Sequence, residues 1–294
     1  MSSRHVLAII GGSGLYQIEG LTDVVEIAQE TPFGAPSDVV VRGQLEDVTL
    51  LFLPRHGRGH TIAPHRINAR ANVWALKALG ATHLMSVSAV GSMREEIAPG
   101  DFVVVDQFID LTKGRPATFF DEGVVAHVAF ADPVCRALSG ALAIAGESSG
   151  VRVHRGGTYV CIEGPQFSTR AESLLYRSWG VSVIGMTAMP EAKLAREAQL
   201  PYALLALATD YDCWHGAEPT VDVVSVLAVV QKNVAAARRT VSSLARSLPD
   251  PKNSAAASAL ASAVITPSER APADARLRFE RLLGATTGSE RGPL

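Results

Sequence analysis

Asp210 and Asp212 stand two residues apart in Ala-Thr-Asp-Tyr-Asp at 208–212, where an apolar run that reads as a buried strand ends. Side chains at i and i+2 project to one face if a strand continues through them. Two close carboxylates repel, so one keeps its proton near neutral pH and can donate it to a leaving group. A magnesium site or a solvated turn would use the same residue types. A second concentration of chemistry is Arg55-His56-Gly57-Arg58-Gly59-His60, directly after a strand and Pro54. The planar fork of arginine fits phosphate or carboxylate. A solvated basic loop accounts for the same residues, and so does a metal held by His56, His60 and His65. The metal reading lacks a third ligand at a recognisable spacing, and the flanking glycines work against the helical geometry of a His-x-x-x-His pair.

Three further loops carry weaker signals. Gly11-Gly12-Ser13-Gly14 follows a short apolar strand and could bring backbone N–H groups against an anion. It is neither a Walker A loop nor a GxGxxG fingerprint, so dinucleotide binding is unsupported; an ordinary strand-ending turn fits it as well. Ser88 lies in Ser-Val-Ser-Ala-Val-Gly-Ser at 86–92, at a strand end, where α/β sheets gather ligands. Glu163-Gly-Pro-Gln-Phe-Ser-Thr-Arg170 ends a strand in a carboxylate and offers Phe167 and hydroxyls before a helix. Thr169 with Glu172 makes a capping box, which explains the hydroxyls but not Phe167. Phe167 is either core or a stacking surface for a flat ligand.

These loops need strands and helices to hold them. Strands are predicted over 6–10, 38–42, 48–53, 83–88, 101–106, 158–162, 181–184 and 203–208. Helices are predicted over 65–79, 137–145, 170–179, 191–198 and 221–248. This alternation predicts an α/β fold: one domain, residues 1–248, with a mixed central sheet flanked by helices. The Ala, Ser and Pro-rich tail, 249–294, reads as mostly disordered or as an arm on a neighbouring subunit, with a short helix near 275–283.

Composition narrows the function. The 294 residues are 47% hydrophobic and 19% charged with a net charge of −2, which argues against a nucleic-acid surface. Three scattered cysteines argue against a disulfide framework or structural zinc and point to a reducing, cytoplasmic setting. The apolar run at 6–10 is too short for a signal-peptide core, and no later run is long enough to span a membrane.

The motifs, taken in order, resemble the 5′-methylthioadenosine phosphorylases of the trimeric purine-nucleoside phosphorylase family. They include Ile-Gly-Gly-Ser-Gly-Leu at 10–15, Thr-Pro-Phe-Gly-Ala-Pro-Ser-Asp at 31–38 and Arg-His-Gly-Arg-Gly-His at 55–60. Asn-Ala-Arg-Ala-Asn-Val-Trp-Ala-Leu at 68–76, Glu-Gly-Pro-Gln-Phe-Ser at 163–168, Met-Thr-Ala-Met-Pro-Glu at 186–191 and Thr-Asp-Tyr-Asp-Cys-Trp at 209–214 continue the series. The likeness is collinear from about Val6 to Leu248.

The resemblance implies phosphorolysis of S-methyl-5′-thioadenosine to adenine and 5-methylthioribose 1-phosphate by a homotrimer, or a dimer of trimers. Inorganic phosphate is the co-substrate, with no metal or other cofactor. It assigns Ser13, Arg55, His56, Ser88 and Thr187 to phosphate. It assigns Ala89, Phe167, Ser168 and Met186 to the nucleoside, and His60, His127, Val223, Val226 and Leu227 to the pocket around its 5′ substituent. Asp210 and Asp212 face the purine N7 and 6-amino edge. Aspartates there favour a 6-amino purine, since a carboxylate accepts from an amino group and repels a 6-oxo oxygen. The alternatives on the same fold are a methylthioinosine or general 6-oxopurine nucleoside phosphorylase and a 5′-halo-5′-deoxyadenosine phosphorylase. Gly185 departs from the asparagine of many relatives, which leaves one ribose or phosphate contact missing or replaced.

Overall fold

The computed structural model describes residues 5–12, 14–215 and 223–284, with the backbone alone at 223–228 and 230–232. Its first strand, β1 (Val6–Gly11), is apolar on both faces and buried after its first residue. Such a strand needs neighbours on both edges and cover on both faces. It has them: β4 (Val48–Pro54) and β5 (His83–Ser92) flank it in parallel. Beyond β4 the sheet continues antiparallel through β3 (Val40–Leu45) to β2 (Thr22–Ile27).

The long strand β5 is the branch point. Along most of its length it pairs in parallel with β11 (Tyr202–Asp210), and its last residues pair antiparallel with β10 (Val183–Gly185). From β11 the sheet runs to β6 (Phe102–Val104) and β8 (Val153–Arg155). From β10 it runs to β9 (Thr158–Cys161) and β7 (Gln107–Asp110). Among the described residues the result is a mixed sheet of eleven strands, in keeping with the predicted mixed sheet.

Side chains alternate between the two faces with period two. Ala8 and Ile10 of β1 join one core with Trp74 and Leu76 of α1 (Ala69–Ala78), and with Ala192 and Leu194 of α4 (Ala188–Glu197). Leu7 and Ile9 face the other core, with Leu138 and Leu142 of α2 (Arg136–Ser148) and Val241 and Leu244 of α5 (Val223–Ala245). The remaining elements are α3 (Arg170–Ser178) and α6 (Ala273–Gly284).

Two expectations are corrected. The helix predicted over 65–79 starts later: Pro64–Arg66 form a 3-10 turn, and Asn68 caps α1 by accepting from the Ala71 N–H at 3.1 Å. The tail up to Gly284 is not disordered. Leu260, Ala263 and Ala271 are buried in the first core together with Phe279 and Leu282 of α6, and Phe279 meets Phe120 edge-on at 5.7 Å. Ala263 O accepts from His127 N, and Ile265 N donates to Val125 O, which ties the tail to residues 125–127. Its alanines read as low complexity, yet small side chains are what let 3-10 turns lie close against a packed surface. Strands β2, β7 and β8 escape sequence reading because none is a buried apolar run.

Phe279→Ala should cost about 3–5 kcal/mol in urea unfolding, as for a buried aromatic. A change within about 0.5 kcal/mol, the range of a surface substitution, would mean that α6 is outside the cooperative unit.

Buried titratable groups set the acid response. His83 is fully buried with Nε2 2.9 Å from Pro249 O, and burial lowers its pKa to about 4. Its ordinary value is 6.5, so acidification through that interval protonates the unfolded chain first and stability falls. Glu197 accepts from Phe119 N and Thr118 Oγ1, each at 2.7 Å, and burial raises it from 4.5 to about 7. The folded chain therefore holds its extra proton between those values, and this contribution falls as pH rises. The two slopes oppose. In Glu197→Gln, the melting temperature should fall more steeply on acidification between about pH 7 and pH 4 than in the wild type. Parallel curves would contradict the raised carboxyl.

Candidate active site

Strands β1, β4, β5 and β11 run parallel, so Gly11, Pro54, Ser88 and Asp210 lie toward one end of the sheet. Ligands gather at the carboxyl ends of such strands. Strand β10 runs back along β5, with Ile184 opposite Gly91. Carried past Gly185, that antiparallel course brings Thr187 to Ser88, and their hydroxyl oxygens are 3.0 Å apart.

Beneath these hydroxyls lies a buried cation. Arg55 is 3% exposed and pairs with Glu191 of α4, with Nε–Oε1 at 2.5 Å and Nη2–Oε2 at 3.1 Å. Its Nη2 also donates to Ile10 O at 3.1 Å and Ser86 Oγ at 2.6 Å, and Nη1 donates to Val87 O at 2.9 Å. Guanidinium carries five N–H bonds, so one Nη1 proton remains. Arg55 thus organises the strand ends, and a bidentate grip on phosphate is not open to it in this arrangement.

The Nδ1 of His56 is 2.8 Å from Ile62 O, so it carries the proton and Nε2 is an acceptor. Burial lowers the ring to about 4, and the nearby Arg55 adds to this, so His56 is neutral at pH 7. His60 is exposed and stacks on His56, with ring centroids 4.2 Å apart.

A second arginine, unflagged in the sequence, fixes one wall. Arg115 donates to Glu163 Oε2 at 2.9 Å and Glu163 O at 2.6 Å, and to Met186 O at 2.8 Å and Met189 O at 2.9 Å. It ties the 163–168 loop to the segment carrying Met186 and Thr187. Gly164 has φ +66°, and a Cβ there would collide with Met186 Sδ, so glycine is required at that position. Phe167 follows, 48% exposed, while Ser168 Oγ is buried without a protein partner among the described residues. Thr169 and Glu172 form the predicted capping box of α3.

The aspartate pair differs from the same-face strand arrangement. The register slips between Ala208 and Asp210, β11 ends at Asp210, and Asp212 turns back with φ +50°. Asp210 Oδ1 accepts the Asp212 N–H at 2.8 Å, and Asp210 Oδ2 accepts from Thr209 Oγ1 at 2.7 Å. Asp212 is buried and accepts from Ser173 of α3. Burial raises both carboxyls, and the Asp212 charge raises Asp210 further. Gly91 makes room: a Cβ there would stand 3.0 Å from Asp210 Oδ1 and 3.3 Å from Asp212 Cβ.

Other predicted residues are placed as follows. Ala89 is exposed beside Ser88. His127 is also exposed, on the segment joined to Ala263. Ser13 lies outside the described residues, as do the side chains of Val223, Val226 and Leu227 on α5. Among the described residues, no three His, Cys, Asp or Glu side chains are grouped to hold a metal. No described helix is long and apolar enough to cross a membrane.

The family model described as the phosphorylase superfamily matches residues 6–246. The chain belongs to the phosphorylase superfamily. Among its relatives there, an S-methyl-5′-thioadenosine phosphorylase of Geobacter sulfurreducens is 56% identical over 96% of this chain and 99% of its own. One of Cereibacter sphaeroides is also 56% identical, over 82% of this chain and 83% of its own. The crystal structure of a methylthioadenosine phosphorylase from an antarctic soil metagenomic library superposes with a TM-score of 0.89 at 47% identity, covering 96% of this chain and all of that one. The Schistosoma mansoni methylthioadenosine phosphorylase in complex with adenine superposes with a TM-score of 0.77 at 40% identity, covering 82% of this chain and 91% of that one.

In this phosphorylase-superfamily site, Arg115 has no local sequence signal, and the motifs holding Glu163 and Glu191 do not show which residues they pair with. Their partners lie far along the chain, Arg55 being 136 residues from Glu191. Glu191→Ala should destabilise the fold by about 3–5 kcal/mol, because Arg55 is left buried and unpaired. A loss below about 1 kcal/mol in chemical unfolding, the scale of an exposed ion pair, would show that water reaches the guanidinium.

Proposed function

We propose that the chain catalyses phosphorolysis of S-methyl-5′-thioadenosine, releasing adenine and 5-methylthioribose 1-phosphate, with inorganic phosphate as co-substrate and no further cofactor. The observation that carries this reading is the arrangement of the strand ends. Paired hydroxyls of Ser88 and Thr187 adjoin a buried cation bonded to Ser86 Oγ and Val87 O of the strand that carries Ser88, and two carboxyls with raised pKa lie at and just past the end of the adjoining strand. Relatives named for that reaction at 56% identity support it.

The bond between ribose C1′ and purine N9 breaks ahead of attack, leaving cationic character on the sugar and negative charge on the purine. Asp210 shares its proton with N7 and neutralises the leaving base. Its raised pKa keeps that proton available nearer neutrality than an ordinary aspartate would. Phosphate attacks C1′ from the opposite face, held by Ser13, Ser88 and Thr187 and by the field of Arg55, which retains one free N–H. A neutral His56 accepts a hydrogen bond from the P–OH of monohydrogen phosphate through Nε2, so it selects a protonated form of the anion. Positioning and electrostatics supply the rate, and no covalent enzyme intermediate forms.

Phe167 packs on the purine, Ser168 Oγ donates into the base pocket, and Met186 lies beside the ribose hydroxyls. The carboxyl oxygens not engaged with N7 act as acceptors toward the 6-amino edge, which favours a 6-amino over a 6-oxo purine. His60, His127, Val223, Val226 and Leu227 surround the methylthio group. The working unit is a homotrimer in the cytoplasm. In support, α3 exposes Leu174 at 52% and Leu175 at 49%, followed by Trp179 at 47%, an apolar face next to Phe167.

Absorbance assays should show adenine released from methylthioadenosine only when phosphate is present, and faster than base is released from methylthioinosine or adenosine. Asp210→Asn should lower turnover about 100-fold or more on the 6-amino substrate, in the range of general acid loss. Wild-type turnover in that variant would refute the proton-donor role. Preference for methylthioinosine would overturn the 6-amino assignment.

A further inference from the structure

Gly185 lies on β10 immediately before the segment that carries Met186 and Thr187. A Cβ at this position would overlap the hydroxyl oxygen of Tyr159, lie 2.7 Å from its Cζ, and stand 3.3 Å from Val90 Cγ1. The absent side chain is thus a space filled by a phenol from the adjacent strand β9. Tyr159 is fully buried and packs against Phe108, with ring centroids 6.0 Å apart. Its hydroxyl is 3.4 Å from Ser88 Oγ and so reaches Thr187 through Ser88. Ser88 and Thr187 are the pair assigned above to phosphate, 3.0 Å apart.

We propose that Tyr159 is a positioning residue for phosphate, whose hydroxyl orients Ser88 and Thr187, and that Gly185 is the residue that admits it. This rests on the reading of those two hydroxyls as the phosphate site. The reason is a proton count. Ser88 and Thr187 have one hydroxyl proton each. Left to themselves, one donates to the other, and a single proton faces the ligand. A buried phenol that donates into the pair satisfies the acceptor lone pair from behind, so both aliphatic hydroxyl protons can turn to the anion. Ser88 has a competing acceptor in Ala89 O at 3.2 Å, which a fixed donor behind the pair helps to outweigh. Burial also raises the Tyr159 pKa to about 12, so at neutral pH the phenol is protonated and available as a donor.

The test is initial-rate kinetics of the full chain on methylthioadenosine, with phosphate and nucleoside varied separately. Tyr159→Phe keeps the ring and removes the donor. It should raise the KM for phosphate about three- to ten-fold, the scale of one hydrogen bond, while the KM for nucleoside moves less than about two-fold. An unchanged phosphate KM would reduce Tyr159 to packing and overturn the proposal. Gly185→Ala, which displaces the ring, should raise the phosphate KM in the same way, with folding verified by its melting temperature. In the double variant the two effects should not multiply, because both act through one hydroxyl; multiplied effects would overturn the proposal. Ser88→Ala separates this inference from the reading beneath it. If Ser88→Ala raises the phosphate KM and Tyr159→Phe does not, only the role of Tyr159 fails. If neither does, the assignment of phosphate to these hydroxyls fails as well.

Discussion

The site is organised around a cation that never reaches solvent. Arg55 leaves the end of β4 and is gripped by β1, β5 and α4 through Ile10 O, Ser86 Oγ, Val87 O and Glu191. Burying such a pair is costly, and the cost is offset only when hydrogen bonds satisfy nearly every remaining donor and acceptor. Here they do: Ser86 Oγ even completes the ring by donating to Glu191 Oε2 at 2.9 Å. The consequence is geometric. Three strand ends and the start of one helix are locked to a single planar group, so the hydroxyls of Ser88 and Thr187 are presented on a rigid base. Positional precision of this kind is what a displacement at an anomeric carbon demands.

An anion site built this way uses charge sparingly. The guanidinium is neutralised by Glu191, and His56 carries no charge at pH 7. On the proposed reading, what faces phosphate is mostly the neutral hydroxyl dipoles of Ser88 and Thr187. Dipoles fixed by the fold need no reorganisation as charge moves during reaction, whereas exposed lysines would hold phosphate tightly in ground and transition states alike. A hydroxyl site therefore depends on where its protons point, and the groups behind the hydroxyls matter as much as the hydroxyls themselves.

This explains what was legible in the sequence. Strands β1, β4, β5 and β11 show themselves as continuous apolar runs because both their faces are buried, and the loops at their ends are rich in glycine, hydroxyl and charge. Arg55, Ser88 and the Asp210–Asp212 pair stand out for that reason, whereas Thr187 is marked only by the resemblance. The charge state and partner of each do not stand out. Arg55 reads as an open fork until Glu191 folds onto it, and His56 reads as part of a basic loop until burial, reinforced by Arg55, makes it neutral. The helix near 275–283 is legible as an apolar stripe, but the packing of the rest of the tail is not, because alanine suits a solvated segment and a closely packed one alike, and contacts such as Phe120 with Phe279 and His127 N with Ala263 O decide between them.

The aspartate pair shows why spacing alone misleads even where it finds the right residues. An i, i+2 spacing predicts parallel carboxylates on a strand, but the slip before Asp210 and the left-handed turn at Asp212 give each a different task. Asp212 sinks into the protein and is held by Ser173, and its N–H anchors Asp210. Asp210 stays partly buried at the strand end with its carboxyl oriented from two sides. The two carboxyls are thus held in different surroundings. This asymmetry requires Gly91, since any side chain there would press on both. The neighbouring strand thus supplies an empty space, and at Gly185 β10 supplies another. At both positions the functional group on one strand depends on a missing side chain on the next, a relation that no local motif records.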